Sequence, residues 1–247
     1  MCGLRTMYRS VSKHGYQHSV GSAPFERMAA QYDSWFESDK GSRIFQVEAE
    51  CLRQLMIEMP RPCLEVGVGT GRFASALDID VGIDPSPAVL RYASDRGIST
   101  RTGKAEELPF KNKEFGAVLL VVTICFLNEP LRALKECRRI LRNDGYLIIG
   151  LVPKDSAWGK IYAKKGAEGH PFYSSARFYT AHQIIKKAEQ SGFDLNRATS
   201  CLFERPNQRV SRYRRPREGL VKNAGFVGLR FGERTSSSEK EKGNQNG

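Results

Sequence analysis

Gly67, Gly69 and Gly71 stand on alternate positions, directly after the apolar run Cys63-Leu64-Glu65-Val66 and just ahead of Phe73-Ala74-Ser75-Ala76-Leu77, which reads as the start of a helix. Glycines reach backbone angles that other residues avoid and let a ligand lie against the main chain. A helix starting behind them offers unpaired N–H groups and a partial positive charge to an anionic ligand group. The spacing departs from the dinucleotide fingerprint Gly-x-Gly-x-x-Gly, because position 72 is arginine. Glu65 adds an acid at the end of the strand, where a generic phosphate turn, the competing reading, has no need of one. A second acid, Asp84, closes the short run Val81-Gly82-Ile83. It lies about 20 residues beyond the first strand, where doubly wound folds hold a ribose hydroxyl pair; a surface turn aspartate is the alternative.

These residues need strands and helices in alternation to bring them to one edge. Cys63 to Val66, Val81 to Asp84, Ile98 to Thr102, Phe115 to Thr123 and Tyr146 to Val152 read as strands. The nearly unbroken apolar run from Phe115 is that of a central parallel strand buried on both faces. Its end, Thr123-Ile124-Cys125-Phe126, opens on the same edge as the glycines. Ser86-Pro87 caps a helix that Gly97 closes, and Pro130 leads another with Leu131, Leu134, Arg138 and Leu141 in step. The alternation predicts an α/β, doubly wound parallel sheet with helices on both faces. Ahead of it, Phe25, Met28, Ala29, Tyr32, Trp35 and Phe36 share one helical face, either a core helix or a lid. Ser42 is expected to cap a second helix carrying Ile44, Val47, Cys51 and Leu55. The regularity stops at Pro153. Residues 154–178 form a basic, aromatic insertion, followed by a helix with a capping box at Thr180 and by strands from Phe193 to Phe203 and from Gly225 to Phe231.

The expected organisation is a flexible leader (1–23), one domain (24–232) and a disordered tail (233–247). No run of about 18 apolar residues exists, so no membrane span is expected. The six cysteines form no Cys-x-x-Cys pair and mostly sit in apolar stretches, which suits reduced packing residues in a cytoplasmic protein and gives no metal site. The net charge of +12 is concentrated in residues 1–24, 154–187 and 205–222; the last block sets Arg205, Arg209, Arg212, Arg214, Arg215, Arg217 and Lys222 against Glu218. Such blocks suit an anionic substrate, nucleic acid or a solvated face.

Several separated stretches agree with one family. Tyr32-Asp33-Ser34-Trp35-Phe36, Glu65 to Gly71, Gly82-Ile83-Asp84-Pro85-Ser86, Ala105-Glu106-Glu107-Leu108-Pro109-Phe110 and Arg139 to Tyr146 stand in its order. The chain resembles class I S-adenosylmethionine (SAM) dependent methyltransferases, in the methyltransferase type 11 group similar to ubiquinone and menaquinone methylases. The resemblance implies a seven-stranded Rossmann-like sheet with an antiparallel last strand, and SAM as cofactor. It implies that Glu65, Gly67, Gly69 and Gly71 hold the amino-acid end of SAM, that Asp84 binds the ribose with Pro85 and Ser86 beside it, and that Ala105 and Glu106 line the adenine. Thr123 and Phe126 would face the cofactor and the substrate entry. Lys104 stands where many relatives carry aspartate.

Methyl transfer to a small molecule is the leading expectation. RNA or DNA methylation is the alternative; a nucleic-acid substrate is disfavoured because no Asn/Asp-Pro-Pro-Tyr motif and no nucleic-acid module is visible. A SAM-binding protein without catalysis is a third reading. The acceptor pocket is expected from two aromatic stretches, Phe25 to Phe36 and Trp158 to Tyr179, with Tyr32, Trp35, Tyr173 and Arg177 nearest the acceptor. His170, between Gly169 and Pro171, is the candidate general base, although a lone loop histidine equally serves structure; His182 sits in a helix cap.

Overall fold

The computed structural model describes residues 23–211 and 214–234. Residues 1–22 and 235–247 lie outside the described residues, and with them Cys2, most of the expected leader and most of the expected tail.

An eight-stranded sheet organises the chain: β1 (Cys63–Val66), β2 (Val81–Asp84), β3 (Ser99–Thr102), β4 (Phe115–Val121), β5 (Leu141–Leu151), β6 (Phe193–Cys201), β7 (Arg217–Glu218) and β8 (Phe226–Glu233). Their order is β3-β2-β1-β4-β5-β8-β6-β7. The first five pair in parallel, while β8 runs antiparallel between β5 and β6. Seven of these strands make the expected sheet. The eighth, β7, is a two-residue exposed edge inside the arginine-rich loop, too short and too polar to show as a strand in the sequence.

β4 shows why the centre is parallel. Its seven residues are all buried: Phe115, Val118 and Leu120 join one core cluster, and Ala117, Leu119 and Val121 the other. On the first face pack α6 (Pro130–Ile140) and α8 (Ala181–Gln190); on the second pack α3 (Asp39–Arg53), α4 (Arg72–Ala76) and α5 (Pro87–Asp95). Strands covered on both faces must read as apolar runs.

Four local expectations are corrected. The single aromatic helix is two, α1 (Ala23–Arg27) and α2 (Ala29–Trp35), broken at Met28. α3 starts earlier than expected, because Ser38 rather than Ser42 is its N-cap and accepts from the Gly41 N–H. The insertion contains α7 (Ala157–Ala167), whose cap Ser156 accepts from the Gly159 N–H at 2.9 Å. β5 begins at Leu141, expected on the helix face, rather than at Tyr146, and Asn143-Asp144-Gly145 form a register shift within it. Among the described residues no helix is long and apolar enough to cross a membrane.

Candidate active site

Two cavities open at the carboxyl edge of the parallel strands, and they share a wall. The first encloses about 750 Å³, its mouth included, and is made by βα junctions: Gly67 and Gly69 after β1, Asp84 and Pro85 after β2, Gly103 to Glu106 after β3, and Val121 to Thr123 at the end of β4. Gly67 has φ +73° and Gly69 φ +53°. A β-carbon on Gly67 would run into the Thr123 side chain, so only glycine lets these two strand ends meet. The Gly69 N–H donates to Asp84 Oδ2 at 3.1 Å, and the Ser86 N–H to Oδ1 at 2.9 Å. Burial pushes Asp84 up to about 6 against those two hydrogen bonds. Glu65 lies beneath the loop, 2% exposed, with Oε2 buried and without a hydrogen-bond partner. Burial, and then the Asp84 charge, hold its carboxyl well above the usual range.

The second cavity encloses about 1420 Å³, its mouth included. Rings make it: Phe25, Tyr32, Trp35 and Phe36 from α1, α2 and the turn after them, and Tyr162, Phe172, Tyr173 and Phe178 from α7 and the segment behind it. Tyr162 and Tyr173 stack with centroids 4.7 Å apart, and His170 stacks on Tyr173 at 4.5 Å. Phe25, Tyr32, Val121, Val122 and Phe126 line both cavities. Val122 has φ +54°, which a β-branched residue adopts only under strain, of order 1–3 kcal/mol; its N–H donates to Gly150 O at 2.8 Å.

Comparison with known proteins now decides the family. A family model described as a methyltransferase domain matches residues 64–149. A Thermotoga maritima structure, described as a SAM-dependent methyltransferase and "possible histamine N-methyltransferase", superposes with TM-score 0.79 at 34% identity, covering 86% of this chain and 100% of that one. The chain belongs to the class I SAM-dependent methyltransferases. An uncharacterized Mycobacterium tuberculosis protein is 38% identical over 82% of this methyltransferase and 71% of its own length. The demethylmenaquinone methyltransferase of Thermotoga maritima is 29% identical over 70% of this chain and 87% of its own.

The methyltransferase places most of the residues singled out in the sequence around these cavities. Gly67, Gly69, Asp84, Pro85, Ala105, Glu106 and Thr123 line the first, Tyr32 and Phe126 both, and Trp35, Tyr173 and His170 the second. Of the others, Glu65 lies beneath the glycine loop and four lie elsewhere. Gly71 faces α5, where a β-carbon would meet Ala93, so it serves helix packing. Ser86 is buried, capping α5 and donating to Glu26 Oε2 at 2.6 Å. Arg177 is exposed, and its backbone N–H donates to Cys125 O at 2.7 Å. Trp158 is core, its Nε1 donating to Glu204 O.

The sequence did not single out the groups that hold the aromatic helices down. Arg72 donates to Asp33 from Nε at 2.9 Å and from Nη2 at 2.6 Å, and Arg96 donates to Asp33 at 2.9 Å. Burial raises Asp33, but hydrogen bonds from Arg72, Thr70 and Arg96 outweigh it and bring the carboxyl to about 2. Arg72, the residue that breaks the dinucleotide spacing, thus clamps α2 over the glycine loop, with the Tyr32 ring in contact distance of Gly69. Glu26 does the same for α1, accepting from Ser86 and from the Ala88 N–H. Also missed was Glu48, a 6% exposed carboxyl on the floor of the second cavity. Its signal was present: four residues after Ile44 and three before Cys51, it interrupts the apolar face of α3. Among the described residues no group of three His, Cys, Asp or Glu side chains could hold a metal ion.

Proposed function

We propose that this methyltransferase binds SAM in the first cavity and moves its methyl group to a small molecule in the second. The observation that carries the reading is the shared wall of Tyr32, Val122 and Phe126, across which two bound molecules would meet. The first cavity suits SAM on three counts: glycine backbone that a ligand can approach, an unpartnered buried Glu65 oxygen beside a cationic ligand's path, and an Asp84 carboxylate with lone pairs to spare for ribose hydroxyls. In this reading Glu65 and the Gly67 and Gly69 backbone hold the amino-acid end, Asp84 and Pro85 the ribose, and Ala105, Glu106 and Thr123 the base and the methyl side. Residues 24–232 act as one domain, with 154–178 as its substrate cap.

Bound SAM supplies a sulfonium methyl that is already a strong electrophile. The chain's part is to align the acceptor and keep water out. Tyr32, packed at 5.7 Å on Phe172 and 5.2 Å on Phe25, closes the top of the site. Known relatives are named for acceptors as different as demethylmenaquinone and malonyl-acyl-carrier protein, so the acceptor must be argued from the cavity here. An aromatic chamber of this size, with Arg177 and the arginine-rich loop outside its lining, favours a small organic molecule over RNA.

Calorimetry with SAM and S-adenosylhomocysteine tests the cofactor half; binding of both with micromolar affinity is expected. Incubation with methyl-labelled SAM and either a metabolite extract or total RNA tests the acceptor. Label in the metabolites supports the reading, and label in RNA at about 150 mM salt, close to physiological ionic strength, overturns it.

A further inference from the structure

Glu48 is the one carboxylate in the lining of the ring-walled cavity. It is 94% buried by its 6% exposure, and among the described residues no hydrogen bond or ion pair engages it. An ionised carboxylate left alone in an apolar wall is among the costliest arrangements a fold can hold. Nothing in the packing asks for it: α3 places Ile44 and Val47 in the same core without a charge. The cations nearby do not satisfy it. Lys40 Nζ donates to Pro206 O at 2.9 Å and sits over the Trp158 ring, and Lys165 is solvent-exposed beside His170. What surrounds Glu48 electrostatically is a set of tyrosines, Tyr32, Tyr162 and Tyr173, together with the thiols of Cys51 and Cys201.

A buried carboxyl inside a ring-walled chamber is the recognition chemistry of a cation: the ring faces attract it, and its positive charge favours the ionised carboxylate that neutralises it. We propose that the methyl acceptor is an amine, and that Glu48 both holds its ammonium form and takes its proton. This deepens the methyl-transfer reading above and rests on it. The ammonium R–NH3+ gives one proton to the Glu48 carboxylate and becomes R–NH2. The nitrogen lone pair forms the new N–C bond as the C–S bond of SAM breaks, and that bond's electrons stay on sulfur as a neutral thioether. The product leaves as R–NH2+–CH3, and the proton on Glu48 passes to water when the cavity opens. Burial, then the neighbouring Cys51, pushes Glu48 up to about 8, which suits a group that must accept a proton from an amine and release it again.

The test separates this inference from the reading beneath it. S-adenosylhomocysteine is titrated first; failure to bind removes the methyl-transfer reading and is visible on its own. Phenethylamine and 2-phenylethanol, matched in shape and differing in charge, are then titrated into the wild type and Glu48→Gln, in the presence of S-adenosylhomocysteine. The wild type is expected to prefer the amine by at least about tenfold and the variant to lose that preference, with 2-phenylethanol bound equally by both. Methyl-labelled SAM with a metabolite extract should place label in the fraction that a cation exchanger retains, and Glu48→Gln should lower that transfer about 100-fold, the scale of a lost general base. Equal affinity for amine and alcohol, label confined to neutral or acidic compounds, or undiminished transfer by Glu48→Gln overturns the assignment.

Discussion

The two cavities sit side by side and are built from different material. The first is made largely of backbone: glycines at +53° and +73°, an aspartate that accepts two main-chain N–H groups, and strand ends in fixed register. The second is made of side chains, ten Phe, Tyr and Trp rings and one carboxylate, most of them brought from α1, α2, α3, α7 and the segment behind α7, with Lys40 and Lys165 also in its wall. A backbone site ties function to spacing, because the main chain can present its N–H groups in few ways. A ring-walled site ties function to volume and charge, which many sequences supply. Substitutions in the first cavity should therefore be severe and specific to the cofactor, and those in the second graded and specific to the acceptor.

The largest effect expected is at Gly69. Its φ of +53° already disfavours any side chain, yet a β-carbon there would sit 3.6 Å from Tyr32 Cε1, an ordinary contact. Gly69→Arg should therefore fold, while its guanidinium occupies the first cavity and abolishes SAM binding, a loss of more than about 1000-fold or about 4 kcal/mol. Calorimetry that finds SAM affinity unchanged in a folded variant would break the comparison at its root.

Asp84 comes next, and pH gives it two opposite signs. Its carboxyl stands at about 6 in the fold, against 3.8 as an ordinary aspartate. A raised carboxyl favours the folded state when protonated. That contribution is complete below 3.8 and is lost as pH rises through about 6. Asp84→Asn should accordingly gain melting temperature over wild type as pH climbs from 4 to 7, roughly the window of that shift. SAM affinity should move the other way, rising in the wild type through pH 6 as the ribose acceptor ionises. Asp84→Ala should bind SAM about 10- to 100-fold more weakly at pH 8, the scale of hydrogen bonds to a charged group. A flat pH profile of wild-type affinity would show that another acid holds the ribose.

How much of this could be read from the sequence follows the same division. The strand order's parallel half was legible because β4 and the second half of β5, from Tyr146 to Leu151, are nearly continuous apolar runs, and the edge of the first cavity because Gly67, Gly69 and Asp84 sit at spacings set by βα junctions. The break at Met28, helix α7 and the strand β7 were not, since each depends on what packs against it: Gly159 is helical beside the Pro153 carbonyl, and β7 exists only by pairing with Thr199 and Ser200. Around the second cavity the two aromatic stretches were visible but not their inward members. Tyr162, Phe172 and Phe178 face the cavity, while Trp158 and Tyr179, from the same stretch, are core. Asp33 and Arg72 read as surface charges, and only tertiary contact shows them clamped; Glu48 interrupts the apolar face of α3, which marks it as buried, but only the fold shows the cavity it lines.

Trp35 probes the second cavity at little cost to the core, because it is 39% exposed at the mouth and meets the core ring of Phe36 edge-on. Trp35→Ala should lower kcat/KM for the acceptor about tenfold, leave SAM affinity within about twofold and shift melting by no more than about 2 °C, the size expected for a surface change. A parallel loss of melting temperature and activity would instead make α2 a core helix and move the acceptor elsewhere.

The smallest effect is expected at His170, and it sharpens the contrast between a group that does chemistry and one that lines a wall. His170 is half-buried at the mouth, stacked on Tyr173, and its Nδ1 accepts from the Phe172 N–H at 3.3 Å. Burial, then Lys165, lowers its pKa below the ordinary histidine value, so the ring is neutral at physiological pH and one nitrogen is engaged in shaping the loop. That arrangement holds Phe172 and Tyr173 in place; it does not need a proton to come and go. His170→Ala should therefore raise the acceptor KM a few-fold through loop disorder and leave kcat, and its pH dependence, nearly unchanged, where Glu48→Gln lowers kcat. The conservative His170→Asn, which keeps an acceptor for the Phe172 N–H, should restore KM. If His170→Ala instead removes the pH dependence of kcat and His170→Asn fails to restore activity, the base is His170, and Glu48 is left as the counter-charge alone.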